Sequence, residues 1–262
     1  MPREADQRRE AILELAHTTG LASVEELSLR FDVTPSTIRR DLARLQQAGS
    51  LARTYGGAMA INGRPESSLR ERFGEAYEAK RGLARWAAQQ VVAGESLLLD
   101  AGTSTGALAH ELRRKGPLRV STVGLTALQE LAGLEDVEVE CLGGTLRPVS
   151  LGFVGPVTEA ALERRTFDRT FLGADGVTAE DGICEADERQ TRLKELMMRR
   201  SAHVYVLAHA AKLGRRPFHA WAPLPDACTL VTDESATEAD VAAFTRRGIE
   251  VVVVDSAGQR RS

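Results

Sequence analysis

Residues 96–112 read SLLLDAGTSTGALAHEL, an aliphatic run that ends in a turn rich in glycine and hydroxyl groups and continues into a helix-like segment. A continuous aliphatic run is typical of a strand that is buried on both faces, as strands are in parallel sheets. A strand that passes through a short turn into a helix is the first half of a β–α–β unit. This stretch therefore predicts a parallel α/β fold.

The same alternation continues through the rest of the chain. Aliphatic runs predict strands at residues 96–100, 118–123, 137–142, 167–174, 203–208, 228–233 and 249–255. Helix-like segments stand between most of them, at residues 107–115, 125–133, 156–165, 187–201 and 236–248. Strands that alternate with helices favour a doubly wound, mostly parallel sheet, which we expect in residues 81–262.

Residues 1–60 carry a different pattern and predict a small, separate helical domain. An apolar stripe begins at Ile12 and ends at Gly20, and a short second helix follows Ser23. Thr34 is expected to be the N-cap of a third helix, with proline at its first position, where the missing N–H costs nothing. The stretch SLARTYGGAMAI that follows predicts a hairpin. Residues 61–80 are polar and only partly periodic, so we interpret them as a linker with a helical end.

Composition excludes several classes of protein. The chain has 262 residues, 43% hydrophobic and 27% charged, which is ordinary for a globular protein. Its formal charge is −3, so any nucleic-acid surface must be local. Six of the first ten residues are charged, where a secretory signal needs an apolar core, and no apolar run approaches the roughly 18 residues of a membrane span. We therefore expect a cytoplasmic protein. The three cysteines form no CxxC pair, and we expect neither a metal nor a cofactor.

The third helix carries a local excess of positive charge. Five arginines and two aspartates lie between Arg30 and Arg53, whereas residues 1–60 hold eight acidic and eight basic residues. In a helical projection Ile38 and its apolar neighbours face the core, and a small, polar face lies opposite, formed by Ser36, Arg40, Ala43 and Gln47 with Thr37 and Arg44 beside it. Arginine and hydroxyl side chains near a helix N-terminus are suited to reading the major groove of DNA. A protein-interaction module with solvated arginines fits the charge equally well, and Asp41 is expected to form an ion pair within the helix.

The sequence VEELSLRFDVTPSTIRRDLARLQQAGSLARTYGGA, residues 24–58, resembles the winged helix-turn-helix of the DeoR family of bacterial transcription regulators. The resemblance implies an operator-binding domain, with Ser36, Thr37, Arg39 and Arg40 on the DNA and Tyr55 where the wing usually has histidine. The full set of predicted DNA-contacting residues is Thr34, Ser36, Thr37, Arg39, Arg40, Arg44, Arg53 and Tyr55.

Three predicted strand ends carry residues suited to a ligand, and ligands of open α/β sheets bind at the carboxyl ends of strands. The turn at residues 102–106, after Asp100, offers backbone N–H groups, hydroxyls and a helix dipole to an anion, although a capped strand-to-helix turn has the same sequence. Arg147 and Asp175 lie in two glycine-containing turns and could bind a ligand or belong to the turns alone. Lys212, one of only four lysines beside thirty arginines, follows another strand.

Residues 81–262 also resemble the effector domain of the DeoR family, whose fold is related to ribose-5-phosphate isomerase and coenzyme A transferases. The matching segments are KRGLARWAAQQVVAGESLLLDAGTSTGALAHEL, GGTLR, FLGADG and the lysine of AHAAKLG. The resemblance implies a phosphorylated sugar or related metabolite as effector. The predicted effector-binding residues are Asp100, Gly102, Thr103, Ser104, Thr105, Arg147, Asp175 and Lys212.

The chain departs from the family at two places. His209, Ala210 and Ala211 precede Lys212 where the family has Asp-x-Ser, and Val123 follows Thr122 where the family has asparagine. An imidazole with an ordinary pKa at position 209 would favour a dianionic effector more strongly as the pH falls from about 7.5 to about 6.

We therefore predict a repressor of a sugar or polyol catabolic operon that a phosphorylated metabolite releases, with double-stranded operator DNA as partner and a homodimer or homotetramer as assembly. The alternatives are a sugar-phosphate isomerase with an appended DNA-binding module and an activator with a non-phosphorylated effector. The isomerases carry a glycine-rich segment with a catalytic acid after the aspartate loop, and this chain has TAEDGICEADERQTRLKEL there, so we do not expect an enzyme. A metal sensor built on His203, His209 and His219 has no compact ligand spacing to support it.

Overall fold

The computed structural model describes residues 5–12, 21–47, 51–54, 57–60 and 66–261. The chain forms two compact units, residues 1–66 and 67–262. We placed residues 61–80 in the linker, but residues 67–80 belong to the second unit and contain its first helix and the start of its second one. The division into residues 1–60, 61–80 and 81–262 stays a prediction.

The first unit combines helices with a small antiparallel sheet in the order β1-β3-β2. Its elements are α1 (residues 5–12), β1 (Leu21–Ser23), α2 (Val24–Arg30), α3 (Pro35–Gln47), β2 (Leu51–Thr54) and β3 (Gly57–Ala60). The hairpin predicted from SLARTYGGAMAI is confirmed, because β2 pairs with β3. Strand β1, which pairs with β3, was not predicted. The rest of the predicted first helix, residues 13–20, lies outside the described residues.

Helix α3 packs on the first two helices through one face. Ile38, Leu42 and Leu45 are buried together with Ile12 of α1 and Leu27 of α2. The spacing of three or four residues puts these side chains on one side of the helix, as predicted. The opposite side is left for solvent or a partner.

The second unit contains a seven-stranded sheet in the order β15-β14-β12-β9-β4-β5-β6, and every pair of neighbours is parallel. Its strands are β4 (Ser96–Leu99), β5 (Leu118–Thr122), β6 (Val137–Cys141), β9 (Phe167–Leu172), β12 (Ser201–Leu207), β14 (Cys228–Asp233) and β15 (Glu250–Val254). These are the seven strands that the aliphatic runs predicted, so the doubly wound fold is confirmed.

Helices cover both faces of this sheet. They are α4 (Leu69–Gly74), α5 (Tyr77–Gln90), α6 (Thr103–Leu112), α7 (Leu125–Leu131), α8 (Pro156–Glu163), α9 (Glu188–Arg199) and α10 (Glu238–Thr245). Side chains of α5, α6 and α7 pack with Leu97 and Leu99 on one face, and those of α8, α9 and α10 pack with Leu98 on the other. Alternate residues of a strand point to opposite faces, so β4 contributes to both cores.

Two smaller sheets were not predicted from the sequence. One is the hairpin β7 (Thr145–Arg147) and β8 (Gly152–Val154), and the other joins β10 (Gly176–Thr178), β11 (Gly182–Glu185) and β13 (Ala220–Ala222) in the order β10-β11-β13. Strands of three or four residues are too short to show a periodic pattern. Across the described ranges, no helix has the length and apolar character that a membrane crossing needs.

Candidate functional site

The first half of α3 presents polar side chains to its surroundings. Ser36, Arg39, Arg40 and Arg44 are exposed, and Thr37 is half-buried. The Arg40 Nε lies 3.4 Å from the Ser36 carbonyl oxygen and donates to it, so this side chain lies back along the helix. The helical projection predicted an accessible face with Ser36, Thr37, Arg40 and Arg44, and these side chains are exposed or half-buried. Arg39, which the projection did not place on this face, is exposed as well.

Thr34 organises the start of this surface. Its Oγ1 accepts a hydrogen bond from the Thr37 backbone N–H at 3.3 Å, which confirms Thr34 as the N-cap. The same Oγ1 lies 2.8 Å from Ser36 Oγ and 3.0 Å from Thr37 Oγ1. The three hydroxyls therefore form one hydrogen-bonded group at the positive end of the helix dipole, where phosphate oxygens bind well.

Asp41 joins two helices. The Arg8 Nε of α1 lies 2.7 Å from Asp41 Oδ2, and Asp41 is only 5% exposed. The expectation of an ion pair within α3 was wrong, because Asp41 lies on the buried side of the helix beside Leu42. Of the two predicted wing residues, Arg53 belongs to β2 and Tyr55 lies outside the described residues.

In the second unit, the order of the strands reverses between β4 and β9. The chain runs from β4 to β5 and β6 on one side, and returns to β9, β12, β14 and β15 on the other. Such a reversal leaves a crevice at the carboxyl ends of the two central strands, where ligands of this fold class bind. Asp100 follows β4, and its Oδ2 accepts a hydrogen bond from the Gly173 N–H, after β9, at 3.0 Å.

A buried lysine joins two carboxylates at this crevice. The Lys194 Nζ of α9 lies 2.5 Å from Asp100 Oδ2 and 2.8 Å from Glu185 Oε1, and it also donates to the Gly173 carbonyl. Burial lowers the pKa of Lys194, but Asp100 and Glu185 outweigh this effect and the pKa is raised. Burial raises the pKa of Glu185 to about 8, against the opposing effect of Lys194. At neutral pH the Glu185 carboxyl therefore keeps a proton that an exposed glutamate would have released.

Sequence analysis did not single out Lys194 or Glu185. One signal was available, since Lys194 stands on the buried face of α9 with Gln190 four residues before it and Met197 three residues after it. A lysine at an apolar position of a helix needs a partner of opposite charge. The identity of that partner was not readable, because Asp100 is 94 residues away in the chain.

Two predicted effector residues, Asp175 and Lys212, meet at the loop after β9: Asp175 belongs to this loop, and Lys212, from the segment after β12, contacts it at the neighbouring residue Ala174. The Lys212 Nζ donates to the carbonyl of Ala174, and the Arg72 Nη1 of α4 lies 2.9 Å from Asp175 Oδ1. Asp175 Oδ2 is buried and has no hydrogen-bond partner among the described residues. This second oxygen remains able to accept a hydrogen bond from a ligand hydroxyl.

His209, in the loop after β12, is buried and uncharged near neutral pH. Burial, together with the positive charges of Lys212 and Lys80, lowers its pKa to about 4. The expectation that His209 becomes an imidazolium between pH 7.5 and pH 6 was therefore wrong for the protein without ligand, because burial disfavours the charged ring. Asp233 of β14 lies beside this loop, and its Oδ2 accepts a hydrogen bond from the Ala210 N–H at 2.6 Å.

The turn at residues 102–106 forms the first turn of α6. Gly102 has φ of +152°, a conformation that residues with a Cβ rarely adopt, and it caps the helix without a side-chain hydrogen bond. Thr103, Ser104 and Thr105 are all buried. A cavity of about 780 Å³ opens beside this turn, and its lining includes Thr103, Lys80, Arg81, Leu69, Phe73 and Leu151. The helix N-terminus and one lysine thus border the same space.

Arg147 is attached to a different part of the unit. Its Nε lies 3.2 Å from Asp187 Oδ2, and Asp187 is the N-cap of α9. Hydrogen bonds from Arg189, together with the charge of Arg147, lower the pKa of Asp187 to about 2. Within the described part of the chain, no hydrogen bond or ion pair connects Arg147 with the other predicted effector residues.

Comparison with known proteins agrees with both halves of the molecule. The model of the DeoR-like helix-turn-helix domain matches residues 8–64, and that of the DeoR C-terminal sensor domain matches residues 75–234. The chain belongs to the DeoR family. Membership makes it a transcriptional regulator and resolves the ambiguity of the α3 arginines, which belong to a DNA-binding domain.

Curated DeoR-family relatives match over most of their length. The HTH-type transcriptional regulator GlpR of Haloferax volcanii is 36% identical over 232 residues, 87% of this chain and 89% of the relative. The glycerol-3-phosphate regulon repressor of Escherichia coli K12 is 32% identical over 209 residues, 80% of this chain and 83% of the relative. Among solved structures, ribose-5-phosphate isomerase A of Methanocaldococcus jannaschii is 15% identical with a TM-score of 0.37, covering 51% of this chain and 52% of that one.

Proposed function

We propose that this protein represses a sugar or polyol catabolic operon and that a phosphorylated metabolite releases it from the operator. The observation that carries the proposal is the exposed polar face of α3, with Arg39, Arg40 and Arg44 beside the hydroxyls of Ser36 and Thr37. The proposed DNA contacts are Thr34, Ser36, Thr37, Arg39, Arg40, Arg44, Arg53 and Tyr55.

The crevice between β4 and β9 supports a phosphorylated effector. It combines the N-terminal turn of α6 and Lys212, which suit an anion, with the second oxygen of Asp175, which suits a hydroxyl. The relative named for the glycerol-3-phosphate regulon supports the same class of effector. Arg147 is the least supported of the proposed ligands, because Asp187 already pairs with it.

We further propose that the protein works in the cytoplasm as a homodimer or homotetramer and is not an isomerase. Catalysis of sugar-phosphate isomerisation needs a base within reach of the substrate. Asp100 and Glu185 both bond to Lys194, and Asp175 pairs with Arg72 through one oxygen, which leaves only its second oxygen, the one that we assign to a ligand hydroxyl. The expected turnover of ribose 5-phosphate by the full chain is zero, and a turnover that disappears in Asp175→Ala would contradict this part of the proposal.

A gel-shift titration tests the main proposal. The full-length protein is titrated onto DNA from upstream of its neighbouring genes, with and without a panel of sugar and polyol phosphates that includes glycerol 3-phosphate. We expect specific binding that one phosphorylated compound weakens, while its unphosphorylated parent does not. Binding that only the unphosphorylated parent weakens, or that a phosphorylated compound strengthens, would contradict the proposal.

A further inference from the structure

Lys80, near the start of α5, is a buried ammonium group without an acidic partner. It is 4% exposed, and its Nζ donates to the backbone carbonyl oxygen of Arg72 at 2.5 Å. No carboxylate of the described residues lies within 4.0 Å of this nitrogen. Burying a charge without a counter-charge is costly, and proteins keep such an arrangement where a ligand supplies the missing charge.

Lys212 is half-buried and also has no carboxylate at ion-pair distance among the described residues, although the charges of Asp175 and Glu185 act on it from farther away. Its Nζ donates to a carbonyl, that of Ala174. The Arg72–Asp175 pair brings the two lysines together, because Lys80 donates to the carbonyl of Arg72 and Lys212 donates to the carbonyl of Ala174, the residue before Asp175. Burial, and after it the charge of Lys212, lower the pKa of Lys80 to about 8. Of the chain's four lysines, Lys80, Lys194 and Lys212 lie around this crevice, and only Lys194 pairs with carboxylates.

A third polar group beside the two lysines has an unused nitrogen. His209 is 8% exposed, and its Nε2 is buried without a hydrogen-bond partner among the described residues. After burial, the positive charges of both lysines lower the pKa of this ring. A buried polar atom without a protein partner can bind a ligand or a water, since nearly all such atoms are satisfied in native proteins.

We propose that Lys80, Lys212 and His209 form a phosphate subsite, in which a dianionic phosphoryl group binds between the two ammonium groups and accepts a hydrogen bond from His209. This deepens the proposed function, on which it rests, because it names Lys80 and His209 as ligands of the effector's phosphoryl group. Two ammonium groups match the double negative charge of a phosphate monoester. Thr103, at the N-terminus of α6, borders the same cavity as Lys80.

The first test uses inorganic phosphate as probe and the full-length protein. Lys80→Met should weaken phosphate binding, measured by calorimetry, by about tenfold to a hundredfold, the loss of one charge-assisted contact. The same variant should melt at a higher temperature than wild type without ligand, because the unpaired buried charge is gone. Lys115→Met is the matched control, since Lys115 is exposed in the turn after α6, and it should change neither quantity.

The second test uses sulfate, which stays dianionic across the pH range. Lys80 is surrounded by Lys212, His209, Arg72 and Glu75, and its low pKa makes it lose its proton above about pH 8. Sulfate affinity of the wild type should therefore fall by up to about tenfold per pH unit above that value. Lys80→Arg should show a smaller fall, because a guanidinium stays protonated and only Lys212, whose pKa burial also lowers, can still lose its proton. The arginine variant also decides the question if Lys80→Met does not fold.

Several outcomes overturn the subsite. They are the absence of phosphate and sulfate binding in the wild type, equal binding by wild type and Lys80→Met, and a pH profile that Lys80→Arg leaves unchanged. If a sugar phosphate releases the operator equally from wild type and Lys80→Met, the subsite is wrong and the proposed function stands. If phosphate binding depends on Lys80 but no phosphorylated metabolite affects operator binding, the subsite stands and the proposed effector is wrong.

Discussion

Arg72 and Asp175 form an ion pair that ties helix α4 to the loop after β9. The Arg72 Nη1 lies 2.9 Å from Asp175 Oδ1, and the two side chains are 14% and 10% exposed. The residues are 103 positions apart in the chain. The carboxylate that we assign to the effector is therefore held in place by a residue from the beginning of the second unit, with its other oxygen left for the ligand.

This pair should contribute strongly to stability. Arg72→Ala leaves a mostly buried carboxylate without its partner, and we expect the free energy of unfolding to fall by about 3 kcal/mol. The control is Arg192→Ala, which removes a pair of the same 2.9 Å length whose arginine is 72% exposed. That change should cost less than about 1 kcal/mol. Chemical denaturation of both variants measures the difference, and equal losses would contradict the assignment of Arg72 to a buried pair.

Arg40→Ala should weaken specific operator binding without unfolding the protein. Its side chain is exposed on the face opposite Ile38, and one bidentate contact to a base contributes about 1–3 kcal/mol at each half-site. Arg246→Ala, which removes an exposed arginine just after α10, controls for the change in total charge. Gel-shift affinities and thermal melts of both variants test this. An Arg40→Ala protein that folds and binds the operator like wild type would exclude Arg40 from the interface.

Glu185 should make stability depend on pH. Its pKa is raised to about 8 by burial, so between its unfolded value near 4.5 and pH 8 the folded state holds a proton that the unfolded state has released. The proton on Glu185 therefore stabilises the folded state at low pH, and the free energy of unfolding falls as the pH rises from about 4.5 to 8. Glu185→Gln cannot titrate, so its stability relative to wild type should improve from pH 5 to pH 8. The exposed Glu163→Gln should show a constant difference across the same range.

Gly82 should be intolerant of a side chain. It lies in the interior of α5, where the backbone of Asp255 and Ser256, which follow β15, packs against the helix. A Cβ on Gly82 would overlap the carbonyl oxygen of Asp255. Gly82→Ala should lower the free energy of unfolding by about 1–3 kcal/mol or more, although alanine favours helices. The control is Gly74→Ala at the end of α4, where the new methyl group meets only open space, so this change should not destabilise the protein. Melting temperatures that fall equally would contradict this packing.

The amino-acid sequence by itself determined the local structure of this protein. The seven aliphatic runs predicted the seven strands, and the spacing of Ile38, Leu42 and Leu45 predicted which side of α3 is buried. These features are readable because strand and helix patterns repeat every two or 3.6 residues within one short segment. The same locality explains what was missed nearby, since strands of three residues, such as β1 and β7, contain no full repeat.

Only the tertiary structure decided which charged groups meet. Lys194 pairs with Asp100 across 94 residues and Arg72 with Asp175 across 103. Lys80 of α5 and His209 after β12 come from separate elements, and the charge of Lys80 acts on the His209 ring. The sequence shows each of these residues without its partner, because the partner depends on the order of the strands and on how far each helix is rotated against the sheet. For the same reason the pKa of His209 could not be predicted. An imidazole takes its pKa from the burial and the neighbouring charges that folding creates, which no short stretch of chain contains.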